Sequence, residues 1–222
     1  MKWNSEHKND QWVAEVCDYK RNGSFVEIGA CSGVRISSCY ILEKKLGWNG
    51  VAVEPHSIYY QECKTHRKQP VNACVYNYDG EIDFVECTGR IDQLGWASEA
   101  LSGIQKHLRS HHKIYHEEYG NLVKKACISP TSLLKQFNYP KEIDYIALDT
   151  EGSEIEILKA WPWNNYVTKL ISIETADEEI DWITKYLDSK DYKRVINPFC
   201  TDKYEAHYCH KSFLPEYKFG EY

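Results

Sequence analysis

Short apolar runs alternate with amphipathic segments along most of the chain, and this alternation predicts strands that alternate with helices. The predicted strands cover residues 25–28, 50–53, 71–76, 82–86, 143–148 and 170–173. The predicted helices cover residues 12–19, 36–46, 58–67, 130–137, 153–160 and 178–189. Two further strand-like segments, 192–196 and 204–210, predict a closing antiparallel hairpin. The pattern therefore favours an α/β fold with a mostly parallel, doubly wound sheet.

Between residues 87 and 125 the periodicity is lost, and Gly, Ser, His and Tyr become frequent. We interpret this segment as a long insertion in a single domain that spans residues 1–222. Because function often resides in such loops, we expect the insertion to act as a lid or to form part of the substrate site. Its residues 106–113 form the nearest thing to a basic cluster, which is mostly histidine. His111 and His112 could contact the substrate, and the alternative is a solvated loop.

Composition narrows the partners and the compartment. The chain has 27 basic and 33 acidic residues, a formal net charge of −6, and no dense basic run, so we expect no nucleic-acid partner. Its nine cysteines are scattered without a CxxC pair, and an odd count favours reduced thiols. The first ten residues are polar, and no apolar run is long enough to cross a bilayer. These features predict a cytoplasmic protein that does not insert into a membrane. They are compatible with a homo-oligomer.

The segment FVEIGACSG at residues 25–33 is typical of the start of a nucleotide-type cofactor pocket. Gly29 and Gly33 would let the backbone turn tightly and approach a ligand closely. Glu27 at the end of the strand suits a positively charged cofactor better than a pyrophosphate, which it would repel. The GxxxG spacing also differs from the GxGxxG order of dinucleotide sites. These points favour S-adenosylmethionine, although a buried strand followed by a glycine turn occurs in many α/β proteins.

Glu54 lies 21 residues after Gly33, close to the offset of roughly 20 residues at which an acidic residue binds ribose hydroxyls in such folds. We therefore predict that Glu54 binds the ribose of the cofactor. Pro55 and His56 follow directly, and the His56 ring could lie over the adenine or the ribose. The alternative for Glu54 is a surface glutamate before a proline turn.

Two later strands also end in a carboxylate, Asp149 and Glu174, and ligands bind at such carboxyl ends. Mg²⁺ or Mn²⁺ held by Asp149 and Glu174 would lower the pKa of an acceptor alcohol and orient its oxygen. In a metal-free alternative, Asp149 or Glu151 is the general base. Glu151 could instead interact with the helix dipole, a role that we favour for Glu154.

Two other features are interpreted as structural. Gly152 would permit a close strand-to-helix turn. The pair His207 and His210 resembles a metal cluster, but strand alternation places the two side chains on opposite faces, so we favour a structural role.

Taken together, FVEIGACSG, GWNGVAVEPHSIYY, LSGI and IDYIALDTEGSEIEILKAW resemble the FkbM-type methyltransferases in the right order over residues 25–176. The Asp-x-Glu-Gly-x-Glu block after a buried strand is characteristic of that family. The resemblance implies a Rossmann-like class I methyltransferase that uses S-adenosylmethionine to methylate an oxygen of sugars or other hydroxylated metabolites. The departure is Cys31-Ser32, where the family often has Asn-Asp or His-Asp.

The resemblance assigns Glu27, Gly29, Ala30 and Gly33 to the cofactor turn, Glu54 to the ribose, and Asp149, Glu151 and Glu174 to the reacting centre. With the adjacent residues added, the predicted cofactor-binding residues are Glu27, Gly29, Ala30, Cys31, Ser32, Gly33, Glu54, Pro55 and His56. The predicted catalytic residues are Asp149, Glu151 and Glu174. We expect an O-methyltransferase with a carbohydrate or small hydroxylated acceptor, assisted by Mg²⁺ or Mn²⁺ at Asp149 and Glu174. The rival hypotheses are a nicotinamide-dependent oxidoreductase and a cofactor-binding relative that has lost turnover.

Overall fold

The computed structural model describes residues 1–88, 90–91, 96–97, 101–220 and 222, with side chains at all of these except 90, 91, 96, 97 and 111. The expectation for His111 and part of that for the insertion therefore lie outside the described residues and side chains. Within the described ranges, no helix combines the length and apolarity needed to cross a bilayer.

Helices and strands alternate as the hydrophobic pattern predicts. The helices are α1 (Asn9–Val16), α2 (Tyr40–Leu46), α3 (Ser57–His66), α4 (Lys113–Tyr119), α5 (Pro130–Gln136), α6 (Glu154–Ala160) and α7 (Ile180–Asp188). The strands are β1 (Ser24–Ile28), β2 (Asn49–Val53), β3 (Pro70–Val71), β4 (Cys74–Val75), β5 (Gly80–Cys87), β6 (Arg90–Ile91), β7 (Trp96–Ala97), β8 (Gly103–Ile104), β9 (Gly120–Ile128), β10 (Glu142–Leu148), β11 (Val167–Glu174), β12 (Tyr192–Val195) and β13 (Glu205–His210).

The main sheet has the strand order β12-β13-β11-β10-β1-β2-β3. The pairs from β11 to β3 are parallel, whereas β13 is antiparallel to both β11 and β12, so the predicted closing hairpin is confirmed. The chain winds outward from β1 in one direction and from β10 in the other. The topological switch point therefore lies between β1 and β10, where open α/β sheets bind ligands.

Apolar side chains cover both faces of this sheet, as a doubly wound fold requires. Trp12 from α1 and Leu42 from α2 are buried on one face. Leu133 from α5, Ile157 from α6 and Ile183 from α7 are buried on the other. The two layers hold the strand ends of the switch point in fixed positions.

A second sheet, β4-β9-β5-β8, stands beside the main one and includes part of the insertion. The prediction that the periodicity fails as far as residue 125 is wrong at its end, because β9 pairs with β5 over residues 120–127. Lys125 occupies the inward face of β9, where its Nζ lies 2.9 Å from Glu86 Oε1, and Leu122 lies on the exposed face. A charged residue on the inward face and an apolar residue on the exposed face hide the alternation of apolar and polar residues that a strand normally shows.

Two other predicted elements differ from the structure. The strand predicted at 71–76 is divided between β3 and β4, which belong to different sheets. The helix predicted at 36–46 begins only at Tyr40. Residues 36–39 are not helical because they surround the carboxylate of Glu27: the Ser37 hydroxyl and the Ser38 amide donate to it at 2.8 and 2.7 Å.

Candidate functional site

A cavity of about 850 Å³ opens at the carboxyl ends of β1, β2, β10 and β11. This volume lies within the range of pockets that hold cofactors and drug-sized ligands. Its wall includes the turn after β1, Glu54, the acidic ends of β10 and β11, and Glu205 of β13. The insertion adds a wall of described side chains, namely Leu101, Ser102, Ile104, Arg109, His112 and Tyr115.

The turn after β1 requires both glycines, but the close contacts are with protein. Gly29 has φ +88°, and a Cβ there would lie 1.7 Å from the backbone oxygen of Asp149. Gly33 has φ +75°, and its Cβ would lie 2.8 Å from Cγ of Arg67 and 3.0 Å from Cα of Cys63. The reason given from the sequence therefore changes: Gly29 lets β1 approach β10, and Gly33 lets the turn pack on α3.

Glu27 is buried and its charge is compensated by the protein. Its carboxylate forms an ion pair with Arg67, whose Nε also donates to Glu43 at 2.9 Å. The same carboxylate accepts from Ser37 and Ser38, as described above. Glu27 lies at the cavity wall, but its negative charge is shared with a buried guanidinium. Its proposed attraction for a cationic cofactor stays a prediction with a weaker basis.

Glu54 is held by two backbone amides that come from different turns. Oε2 accepts from the Cys31 amide and Oε1 from the His56 amide, both at 2.7 Å. Burial raises the pKa of Glu54 to about 8. Each oxygen keeps a second lone pair that can accept from a ribose hydroxyl. The carboxylate is therefore oriented towards the cavity before any ligand binds.

The other predicted cofactor residues separate into two groups. Ala30, Cys31 and Pro55 line the cavity with Gly29 and Glu54. Ser32, Gly33 and His56 are absent from its described lining. The Ser32 hydroxyl accepts from the Arg35 amide at 3.0 Å.

His56 has a structural task instead of the expected position over the cofactor rings. Its Nδ1 accepts from the Ile58 amide at 3.2 Å and caps α3, and its Nε2 lies 2.9 Å from the Cys87 carbonyl oxygen. Both ring nitrogens are therefore engaged. Tyr59, one turn further along α3, lines the cavity and was not singled out from the sequence.

The acidic strand ends do meet. One carboxylate oxygen each from Asp149, Glu154 and Glu174 lies within 4.8 Å of the others. Asp149 is exposed to the cavity, yet its removal from bulk water and the nearby charge of Glu174 raise its pKa well above the ordinary value. The same causes raise the pKa of Glu151 well above the ordinary value. Burial also raises the pKa of Glu174, and Arg109 opposes this rise.

Glu154 organises the turn between β10 and α6, a structural role that differs in detail from the helix-dipole role favoured from the sequence. Its Oε1 accepts from the Thr150 amide at 2.7 Å and from the Thr150 hydroxyl at 2.9 Å. Its Oε2 accepts from the Gly152 amide at 3.0 Å. Within this turn Glu151 adopts φ +59°, a left-handed conformation that is costly for a residue with a side chain. The network around Glu154 thus holds Glu151 at the cavity wall.

Arg109 of the insertion makes contacts with the acidic group that sequence reasoning missed. Its Nη1 lies 2.9 Å from Glu174 and 3.9 Å from Glu151, and its Nη2 lies 4.0 Å from Glu154. Only 11% of the side chain is exposed. The sequence placed Arg109 in a basic cluster, but its distance from the acids along the chain hid the contact. Glu205, opposite Glu174 in the β11–β13 ladder, was missed as well.

The acidic group has oxygen donors of the type that Mg²⁺ or Mn²⁺ prefers, but the arrangement does not fit either ion. Both oxygens of Glu154 already accept hydrogen bonds from residues 150 and 152. The guanidinium of Arg109 brings a positive charge to Glu174, where it would repel a metal ion. The predicted metal ligands Asp149 and Glu174 are thus close together, but the positive charge beside them is the guanidinium of Arg109.

The two histidines of β13 have separate partners. His207 is buried, and its Nε2 lies 2.8 Å from Asn9 Oδ1 and 3.0 Å from Asn197 Nδ2. His210 Nδ1 lies 2.7 Å from the Ser212 hydroxyl oxygen. This arrangement agrees with the structural role expected for the pair.

The chain is similar to known proteins in sequence and in structure. Residues 27–194 match the family model "Methyltransferase FkbM domain". A comparison with curated protein sequences gives no match. The structure is similar to the METTL16 methyltransferase domain, with 13% identity, 91% of this chain and 66% of that chain covered, and a TM-score of 0.47. It is also similar to the human methyltransferase 10 domain containing protein, with 10% identity, 95% and 85% covered, and a TM-score of 0.43. A methyltransferase from Pyrococcus furiosus is similar as well, with 11% identity, 90% of this chain and 80% of that chain covered, and a TM-score of 0.42.

Proposed function

The chain belongs to the FkbM methyltransferase family, and from this premise we propose that it transfers a methyl group from S-adenosylmethionine to a hydroxyl of a neutral sugar or glycan. Its fold is the Rossmann-like fold of class I methyltransferases. S-adenosylmethionine supplies the electrophilic methyl group when it is bound. The choice of oxygen as the acceptor atom, and of a carbohydrate as the acceptor, is the proposal.

The observation that supports it is the polar lining of the cavity beyond the cofactor turn. Glu151 Oε2, Arg109 Nε and Arg109 Nη2 are buried and have no hydrogen-bond partner among the described residues. Acceptors and donors that lack a hydrogen bond thus lie side by side, which is what the hydroxyl groups of a polyol require because each both donates and accepts. An apolar acceptor would leave these groups without hydrogen bonds, at a cost of about 1–3 kcal/mol each. Several carboxylates on the same wall disfavour a phosphorylated acceptor.

The residues act in a single displacement. Glu54 would accept hydrogen bonds from the ribose hydroxyls and fix the donor at the ends of β1 and β2. The acceptor oxygen bonds to the methyl carbon as the carbon–sulfur bond breaks, and the bonding pair stays on sulfur. The hydroxyl proton moves to a carboxylate in its ionised form, Asp149 or Glu151, both at the cavity wall. Burial and the neighbouring carboxylate of Glu174 raise the pKa of both groups, which makes each a stronger base in its ionised form.

Assistance by Mg²⁺ or Mn²⁺ is the second version of the proposal. It requires Arg109 to leave the acidic group, so the contacts support the metal-free version. Activity that survives exhaustive chelation would select the metal-free version.

The described cysteines are all free thiols, which supports the proposed cytoplasmic location.

The test is methyl transfer from S-adenosylmethionine with an isotopically labelled methyl group. The full chain is incubated with a panel of neutral glycosides and with the phosphorylated form of each, and the products are analysed by mass spectrometry. We expect labelled methyl ethers of the neutral acceptors and at least tenfold less product from each phosphorylated counterpart. Label found on nitrogen, or a preference for the phosphorylated acceptor, would contradict the proposal.

A further inference from the structure

Arg109 lies where the sequence predicts a divalent cation. Three carboxylates, those of Glu151, Glu154 and Glu174, lie within 4.0 Å of its guanidinium nitrogens. Carboxylates this close together repel one another when ionised, and they need a positive charge among them. A guanidinium can supply that charge with several donors in a fixed plane.

We propose that Arg109 is a positioning residue that replaces a divalent cation in the acceptor site, and that the insertion delivers it by docking on the turn at Gly152. One consequence of the proposal rests on the proposed function: acceptor hydroxyls bind beside the guanidinium of Arg109 instead of a metal ion. The proposal's own evidence is the contact geometry.

The docking of the insertion is built into the sequence of the turn. Gly152 has φ +122°, and a Cβ there would lie 2.1 Å from the backbone oxygen of His107 and 3.6 Å from Cγ of Arg109. Any other residue would push the insertion away from the acids. Gly152 was expected to permit a tight strand-to-helix turn, and the structure adds the passage of the insertion as a reason.

Contacts on the other side of the insertion fix the same segment. His107 Nε2 lies 2.8 Å from the Tyr76 hydroxyl oxygen, and Lys106 Nζ lies 4.3 Å from the centroid of the Tyr76 ring. Tyr76 follows β4 and is buried. The segment that carries Arg109 is therefore held from both sides, by Gly152 after β10 and by Tyr76 after β4.

The proposal predicts a gain of metal binding when Arg109 is neutralised. Mn²⁺ alone is titrated by calorimetry into the full chain, without donor or acceptor. Wild type should bind Mn²⁺ only weakly, Arg109→Gln should bind it at least about tenfold more tightly, and Arg109→Lys should resemble wild type. Lys113→Gln is the matched control, because it removes one charge from an exposed side chain of the same insertion and should leave Mn²⁺ binding unchanged.

Adding Glu174→Gln to Arg109→Gln should abolish the gain, which a general change of net charge or of stability would not do. Tight Mn²⁺ binding to the wild type, or a folded Arg109→Gln protein without the gain, would overturn the proposal. If Arg109→Gln does not fold, Gly152→Ala takes its place, since it displaces the same guanidinium, and a lack of gain there overturns the proposal too. S-adenosylmethionine affinity is measured on the same samples: its absence in the wild type would count against the proposed function, whereas only the Mn²⁺ results bear on Arg109.

Discussion

The two ends of the cavity hold their carboxylates in different ways. At the cofactor end, Glu54 accepts from the amides of Cys31 and His56, which belong to the turns after β1 and β2. At the acceptor end, the charges of Glu151 and Glu174 are met by Arg109, which arrives from the insertion. The cofactor end is thus organised by backbone close in sequence, and the acceptor end by one side chain of a separate segment. We therefore expect changes in the insertion to alter acceptor binding more than donor binding.

The ends are nevertheless joined by backbone at the switch point. The Asp149 amide donates to the Ile28 carbonyl at 3.0 Å, and Gly29 packs on the carbonyl oxygen of Asp149. Each turn also contains a non-glycine residue in the left-handed region, Cys31 at φ +50° and Glu151 at φ +59°. Such conformations persist only where the surroundings enforce them, and they are often found at functional sites. In both turns the strained residue lies at the cavity wall.

The largest expected effect is at the cofactor end. Glu54→Ala should weaken S-adenosylmethionine binding by about 100-fold or more, because it removes the two hydrogen bonds proposed to the ribose and leaves the amides of Cys31 and His56 without their acceptor. Calorimetry measures the affinity. Glu62→Ala, which removes an exposed acid of α3, is the control and should leave the affinity unchanged. Full affinity in Glu54→Ala would show that the cofactor end is not organised as described.

Next is the junction between the ends. Gly29→Ala should lower the free energy of unfolding by about 3 kcal/mol or more, because its Cβ would overlap the Asp149 carbonyl. Urea denaturation measures the loss. Gly80→Ala is the control, since Gly80 also has positive φ but its Cβ would meet only Tyr78 ring atoms at 3.8 Å. If both variants lose the same stability, backbone strain explains the effect and the close approach of the two strands does not.

The position of Glu54 beside the turn after β1 could be predicted from the sequence because the residues that form this part of the cavity are local. The strand, the glycines and the offset to Glu54 are all contained in residues 25–54. What the pattern could not show is how polar residues share their partners. Ser37 and Ser38 fit a helical pattern, yet they hold the Glu27 carboxylate, and α2 starts later as a result. His56 similarly caps α3, a role that its position next to Glu54 did not suggest.

The acceptor end could be predicted only in part. Asp149 and Glu174 each end a buried strand, and parallel strands bring such ends together, so their proximity follows from the pattern. Arg109 follows from no local pattern, because nothing in residues 105–112 shows which part of the main sheet they will contact. The signal that existed was Gly152, whose missing side chain marks a close approach of another backbone. A glycine between two acids can be recognised, but its neighbour cannot be named without the fold.

The smallest expected effect concerns Glu205, which, among the described residues, is held neither by backbone amides nor by Arg109. Its Oε1 accepts from Asn9 Nδ2 at 2.6 Å, and burial raises its pKa to about 8 from the ordinary 4.5. Because the folded state keeps this proton between those two values while the unfolded chain releases it, the stability that the group contributes is complete below about pH 4.5. It is lost as the pH rises towards about 8.

Glu205→Gln removes this titration and retains an oxygen that can accept from Asn9. We expect the two proteins to have similar free energies of unfolding near pH 5 and the variant to be more stable by about 2 kcal/mol near pH 8, below the limit of ~4 kcal/mol for one proton over three pH units. Urea denaturation at several pH values measures the difference. His207, whose pKa burial lowers to about 3, is present in both proteins, so to first order its own pH dependence cancels. Parallel pH profiles would mean that Glu205 is ionised in the folded protein, and the acceptor end would then carry one more uncompensated negative charge than the contacts indicate.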